Sequence, residues 1–289
     1  MKVSYFPGCT LKTSGKNFED SAVASARILG IDMVELPRWN CCGTVYSLTS
    51  DDLMHNLGPL RNLLRVQEQG DDRVVTLCSM CYNTLKRAND RIRANPDELE
   101  KLNQFMYKEE TSYRGGVRVE HYLTLLRDHV GFAEVSRKVK RPLHGLKLAA
   151  YYGCTLLRPA DVAIDDPETP TILEDLLGAL GAAATDFPHS TECCASYQVV
   201  SEPDLVVDRT YEIVSSARRS GADAIVTSCP LCDYNLGRYQ TKVRDKYAGF
   251  APLPTLYFTQ VLAVALGVDE KECQFDLNYV DPRPLFEAP

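Results

Sequence analysis

Ten of the eleven cysteines in this 289-residue chain fall into two groups of one design. Cys9, the adjacent pair Cys41 and Cys42, and the C-x-x-C of Cys78 and Cys81 make the first; Cys154, the pair Cys193 and Cys194, and the C-x-x-C of Cys229 and Cys232 make the second. Between the single cysteine and the pair lie 31 residues in one group and 38 in the other, and between pair and C-x-x-C lie 35 and 34. Thiolate is a soft ligand for zinc or polynuclear iron, and a C-x-x-C turn lets two sulfurs converge on one metal site. A tetrahedral structural zinc takes four ligands, whereas each group supplies five, two of them adjacent and ill placed to serve one small tetrahedron. The surplus favours a centre with several irons. Buried structural thiols, zinc, and a thioredoxin-like redox dithiol stand as alternatives, the last leaving the Cys-Cys pairs unexplained.

The rest of the composition is ordinary: 45% hydrophobic and 25% charged residues suit a soluble globular protein. A net charge of −7 and the lack of a long Lys/Arg run argue against nucleic acid or an anionic membrane surface as the main partner. The start, MKVSYFPGCT, has neither a basic nor an apolar leader region, and the most apolar stretches, Leu176–Ala184 and Val261–Val268, fall short of a spanning helix. A cytoplasmic chain without direct membrane insertion is predicted. Abundant cysteine without an export signal belongs to a reducing compartment, where metal and redox roles outnumber disulfide scaffolds.

The elements that must position the cysteines repeat with them. Short β-type runs lead into the sulfurs: Val3–Phe6 before Cys9, Val74–Leu77 before Cys78, Leu148–Tyr152 before Cys154 and Ala224–Thr227 before Cys229. Helical periodicity is read at Phe18–Leu29, Leu53–Gln67, Ile172–Leu180 and Leu205–Ala217, with further strands at Met33–Leu36 and Ala184–Phe187. Val117–Val119 with His121–Leu126, and Thr255–Phe258 with Gln260–Leu266, read as a closing strand and helix for each half, and Pro96–Glu110 as a polar helical insert. Strand–helix–strand alternation implies parallel sheets. The predicted fold class is therefore α/β, two similar duplicated domains, each a mostly parallel sheet with flanking helices and the metal sites at strand carboxyl ends. A charged stretch ending at Arg141 before Pro142 divides 1–141 from 142–289, and Gln274–Pro289 suits a tail that lies on a neighbour.

The full pattern, Cys9…Cys41-Cys42-Gly43…Cys78-x-x-Cys81 repeated as Cys154…Cys193-Cys194-Ala195…Cys229-x-x-Cys232, resembles the paired cysteine-rich (CCG) domains of the B-type subunit of heterodisulfide reductase over nearly the whole chain. The resemblance implies two non-cubane [4Fe-4S] clusters, one held by Cys9, Cys41, Cys42, Cys78 and Cys81, the other by Cys154, Cys193, Cys194, Cys229 and Cys232. It also implies a catalytic subunit that reduces or forms a low-molecular-weight disulfide, such as a coenzyme M–coenzyme B type heterodisulfide, in two one-electron steps between the clusters. The implied partners are a ferredoxin-like iron–sulfur subunit of the C type, together with a flavin-bearing subunit of the A type. Related domain pairs serve hydroxyacid and glycerol-3-phosphate dehydrogenase complexes, so an electron-relay subunit is the alternative. This sequence departs from the pattern at Ala195, where the family has glycine, and at Tyr152, where the first half has Pro7.

No G-x-G-x-x-G follows a strand and no ferredoxin-type cysteine run occurs, so electrons are expected from another chain. Candidate proton donors and substrate contacts are His121, His189, Tyr151, Tyr152 and Tyr197, although residues so placed are more often structural hydrogen-bonders. Lys12 and Arg158 follow the first cysteine of each half and could neutralise an anionic cluster or substrate, or simply be solvated. Trp39 reads as a cover for the first site or as core, and Cys273 as a thiol outside both groups.

Overall fold

The computed structural model describes residues 1–44 and 53–287, and within them the chain builds one sheet twice. Strands β1 (Lys2–Tyr5), β2 (Asp32–Glu35), β3 (Arg73–Thr76) and β4 (Arg118–His121) run parallel in the order β2-β1-β3-β4. Strands β5 (Lys147–Tyr151), β6 (Ala183–Thr185), β7 (Ala224–Thr227) and β8 (Thr255–Tyr257) repeat it as β6-β5-β7-β8. Tyr5 pairs with Val75, and its counterpart Ala150 with Val226, so the register is duplicated along with the order. Every residue of β7 is buried, as a parallel strand covered on both faces requires.

The principal helices are α1 (Lys16–Ile28), α2 (Leu57–Glu68), α3 (Ser79–Ala94), α4 (Pro96–Phe105), α5 (Tyr122–Leu125), α6 (Phe132–Lys138), α7 (Ile172–Ala179), α8 (Pro203–Arg219), α9 (Pro230–Asp233), α10 (Gln240–Lys246) and α11 (Phe258–Leu266). A wider π turn, Tyr234–Arg238, joins α9 towards α10. All eight expected strands are present, with ends displaced by a few residues at most. Helix α3 was not expected: its outer face is charged, but Cys81, Leu85, Ala88 and Ile92 recur at helical spacing and are buried. The polar insert is α4, which opens on Pro96 followed by Asp97 and Glu98, residues suited to a helix N-terminus.

The halves share one core. Phe18 of α1 stacks on Tyr257 at 4.2 Å and meets Phe258 edge-on at 5.7 Å; burying such a ring is worth about 1.5–3 kcal/mol. The Ser21 hydroxyl lies 2.7 Å from that of Thr259, which also donates to the Phe18 carbonyl at 3.0 Å. In the other direction α6 of the first half packs on α7 of the second. Around the division between halves, the amides of Lys140 and Arg141 both donate to the Ala265 carbonyl. The neighbour on which the tail lies is the chain itself: Asn278 bonds Gln260 and the Thr255 carbonyl, and Gln274 bonds Asp20 of α1.

Candidate metal centre

Each strand-end loop reaches its first cysteine by way of a glycine. Gly8 (φ +74°) precedes Cys9 and Gly153 (φ +64°) precedes Cys154; a Cβ on Gly8 would stand 2.8 Å from the Cys81 sulfur, and one on Gly153 3.2 Å from that of Cys232. At Gly8 only hydrogen fits, and at Gly153 a methyl group would need the sulfur to give way by a few tenths of an ångström. Cys78 and Cys229, in extended backbone, are the residues before α3 and α9, so the second cysteine of each C-x-x-C falls in the helix's first turn. After the Cys-Cys pairs the chain turns left-handed, at Gly43 (φ +75°) and at Ala195 (φ +71°) with Ser196 (φ +42°). Buried Asn235 holds the second turn, its amide donating to the carbonyls of Cys194 and Ser196 at 3.0 and 3.1 Å.

The structure brings together the five sulfurs expected in each half. Cys9 and Cys41 are exposed and 3.8 Å apart, and Cys154 and Cys193 are likewise 3.8 Å apart. Beneath them Cys194 lies 3.6 Å from Cys232, and Cys42 is within reach of both Cys41 and Cys81. Cys42, Cys78, Cys81, Cys194, Cys229 and Cys232 are all buried, and no cysteine is in a disulfide. Such crowding cannot support five thiolates without cations. Hydrogen bonding to Cys41, then burial, pushes the Cys9 thiol up, while hydrogen bonds from Cys154 and Cys194 pull Cys193 down to about 3. Among the described residues no three His, Cys, Asp or Glu side chains are gathered tightly enough for a lone ion. Five soft donors in a cradle lined closely by a glycine are the donor set that a polynuclear iron–sulfur centre takes.

The two sets face each other. Ser79, just after Cys78, donates its amide to the carbonyl of Ser228, just before Cys229, at 3.3 Å. Tyr122 and its repeat counterpart Phe258 meet at 6.2 Å. Half-buried Tyr197 lies between the sets, its hydroxyl 3.4 Å from that of Thr44 and 3.7 Å from the Met80 sulfur. Burial pushes that hydroxyl up to about 12, with charge on Cys229, Cys42 and Cys78 adding to the effect.

Of the other candidates, Tyr197 alone stands between the groups. His121 is fully buried; Nε2 bonds the Leu77 carbonyl at 2.7 Å and Nδ1 accepts from the Leu123 amide at 3.2 Å, so neither ring nitrogen is left for a substrate. Burial holds its pKa down at about 4. Tyr152 bonds Glu174 and the Leu173 amide, away from the sulfurs, and Tyr151 donates to the Glu192 carbonyl at 2.7 Å. His189 lies 3.0 Å from the Glu192 carboxylate, which Arg209 also engages. Lys12 is bound by Glu19 and Glu35 at 2.7 and 2.6 Å, and Arg158 by Glu168 and the Pro167 carbonyl. These cations answer carboxylates and a carbonyl, not sulfur. Trp39 packs edge-on against Phe6 and donates to Glu35. Cys273 is buried, its thiol raised to about 12 by burial first.

Two residues beside the sulfurs escaped the sequence reading. Asn235 is one. The other is Asp233, 5% exposed, with one carboxylate oxygen 3.2 Å from the Tyr257 hydroxyl and the other without a partner among the described residues. Burial raises its pKa to about 7. The signal was a break in the repeat, since the residue after the last cysteine is Tyr82 in one half and Asp233 in the other.

Residues 3–86 and 148–237 match the CCG cysteine-rich domain family. The chain is 34% identical to the 8-methylmenaquinol:fumarate reductase membrane anchor subunit of Wolinella succinogenes, over 98% of each. It is 27% identical to the B-type subunit of the ferredoxin/F(420)H(2)-dependent CoB-CoM heterodisulfide reductase of Methanosarcina acetivorans, over 96% of this chain and 94% of that one. A protein of Archaeoglobus profundus, described as like the heterodisulfide reductase B-type subunit, is 29% identical over 94% and 93%. Among solved structures, a hypothetical protein from Helicobacter pylori superposes with a TM-score of 0.79 at 14% identity, over 96% of this chain; the match spans about half (51%) of that protein and speaks to fold alone. No helix among the described residues is long and apolar enough to cross a membrane.

Proposed function

The chain belongs to the CCG cysteine-rich domain family, and on that premise we propose that it is the iron–sulfur catalytic subunit of a heterodisulfide reductase-type complex, reducing or forming a low-molecular-weight disulfide. The observation that carries this reading is the pairing of two five-sulfur sets across the Ser79–Ser228 contact, with Tyr197 between them. Cys9, Cys41, Cys42, Cys78 and Cys81 would hold one non-cubane [4Fe-4S] cluster, and Cys154, Cys193, Cys194, Cys229 and Cys232 the other. Bound there, the clusters would supply one electron each and Lewis acidity towards sulfur. The exposed edges at Cys9, Cys41 and Cys193 leave the sites approachable, while the buried cysteines and the serine contact exclude water behind them. Tyr197 keeps its proton at neutral pH and can donate a hydrogen bond to a departing thiolate.

The proposed division between cluster domains is 141/142, the proposed compartment the cytoplasm, and the proposed partners a flavin-bearing subunit together with a ferredoxin-like iron–sulfur one. A second reading is favoured by the 34% identity to a fumarate reductase subunit: an electron-relay subunit with no substrate of its own. Oxygen-free purification, iron and acid-labile sulfide analysis, and low-temperature EPR after adding candidate thiols separate the readings. Iron with new paramagnetic signals on thiol addition and disulfide turnover supports the first; iron without thiol response supports the relay. A colourless zinc protein would sink both.

A further inference from the structure

The helices that carry the two C-x-x-C motifs part ways beyond the last cysteine. In the first half α3 runs on as a regular helix, and Thr84, three residues after Cys81, turns its hydroxyl back to the Met80 carbonyl at 2.8 Å. In the second half the chain widens into the π turn Tyr234–Arg238, a form of helix frequent at functional sites. The residue three after Cys232 is Asn235, and its side chain leaves its own helix: Nδ2 donates to the carbonyls of Cys194 and Ser196 and lies 3.5 Å from the Cys194 sulfur.

That amide is held in place. Asn235 is fully buried, and the buried Thr210 hydroxyl donates to its carbonyl at 3.0 Å, fixing the backbone of the π turn. Carbonyls at 3.0 and 3.1 Å dictate that nitrogen faces the sulfur, since the reversed amide would set oxygen against oxygen. Two hydrogens serve three acceptors, so one is shared, and negative charge gathering on the sulfur draws it. Away from water such a donor acts more strongly than in solvent. The charged neighbours of the two sets do not repeat this difference. Arg209, which donates to the Cys193 carbonyl at 3.4 Å, is answered by Glu192 and Glu212, as Lys12 is by Glu19 and Glu35.

We propose that Asn235 tunes the second sulfur set: its amide donates to the Cys194 sulfur and stabilises an electron placed on a cluster there, whereas the Thr84 hydroxyl is turned into its own helix. Hydrogen bonds to ligand sulfur are among the levers that set iron–sulfur potentials. Reduction adds negative charge, so the donor raises the potential. Asn235 acts through Cys194 and is a positioning residue, one that gives the two halves of a duplicated fold an unequal hold on electrons. The inference rests on the reading that both sets hold iron–sulfur clusters, and not on the identity of any substrate.

The test is a redox titration of the oxygen-free full-length holoprotein, followed by visible absorbance and low-temperature EPR. Asn235→Thr gives the second half the residue that the first half carries at Thr84. One of the two cluster transitions should move to lower potential by at least tenfold in the reduction equilibrium, about 59 mV for one electron, with the other unmoved and iron content unchanged. Thr84→Val should move neither. Because the change is read within one cluster, other unlike neighbours, such as Asp233 and Tyr82, cancel. Should Asn235→Thr lose iron, Asn235→Thr combined with Ala195→Gly decides, since the turn then has the glycine that the first half has at Gly43. A smaller or upward shift, equal movement of both transitions, a like shift in Thr84→Val, or iron lost from the double variant as well would each overturn the proposal; in the last case Asn235 holds the turn and nothing more. Wild-type protein without iron would sink the cluster reading itself, and this inference with it.

Discussion

The Ser79 hydroxyl lies 2.6 Å from the Ser228 hydroxyl, both fully buried, at the point where the two C-x-x-C turns approach. Ser79→Ala leaves a buried hydroxyl short of one partner, which costs about 1–3 kcal/mol. Urea unfolding of oxygen-free protein should show that loss, and Ser79→Ala with Ser228→Ala together should cost less than the sum of the single changes. Strict additivity would mean that the hydroxyls are not coupled.

Gly8→Ala places a methyl group 2.8 Å from the Cys81 sulfur. Iron analysis should find about half of the wild-type iron, with the second set still loaded. Gly153→Ala, at 3.2 Å from Cys232, should be milder. Full iron in Gly8→Ala would count against the first ligand set.

Ala195 holds φ +71° with a Cβ, whereas Gly43 holds φ +75° without one. Ala195→Gly should stabilise the protein by about 1 kcal/mol, and Gly43→Ala should destabilise it by a similar amount. Thermal unfolding reads both. A lowered Tm in Ala195→Gly would show that the turn gains more from the methyl group than its backbone loses.

His121 is neutral in the folded chain, its pKa held down at about 4 by burial, against about 6.5 when unfolded. Its contribution is fully present above pH 6.5, where neither state is protonated. It is lost as pH falls towards 4, because the unfolded state then binds the extra proton. The stability advantage of wild type over His121→Gln should therefore shrink by about 1.4 kcal/mol per pH unit across that window. A constant difference would show that His121 is not the group that titrates.

Tyr197→Phe should leave iron content unchanged and lower disulfide turnover by about a hundredfold, the usual scale for a lost proton donor. Since the hydroxyl stays protonated to about pH 12, the wild-type rate should show no loss assignable to it at or below pH 10. Unchanged turnover in the phenylalanine variant would remove Tyr197 from the reaction.

Four of the eight strands were legible because each is a short apolar run leading into a cysteine, and the repeat let each half check the other. Helix α3 was hidden by its charged outer face, although Leu85, Ala88 and Ile92 carried the period. The sulfur sets were legible from spacing. Lys12 and Arg158 were not, because the partner of a long cation is chosen by tertiary neighbours: Glu19 sits a turn along α1 and Glu35 ends β2. Asp233 was readable only as a mismatch, and that its carboxyl lies at a seam between halves is a fact of packing, invisible along the chain.

Phe18 of the first half finds its stacking surface on Tyr257 of the second, so neither half carries all the cover its own first helix needs. A free-standing ancestor of one half would have required a second copy to lend that surface, as a two-fold dimer does. Within one polypeptide the two copies need not stay alike, as Tyr82 and Asp233, each following the last cysteine of its set, do not.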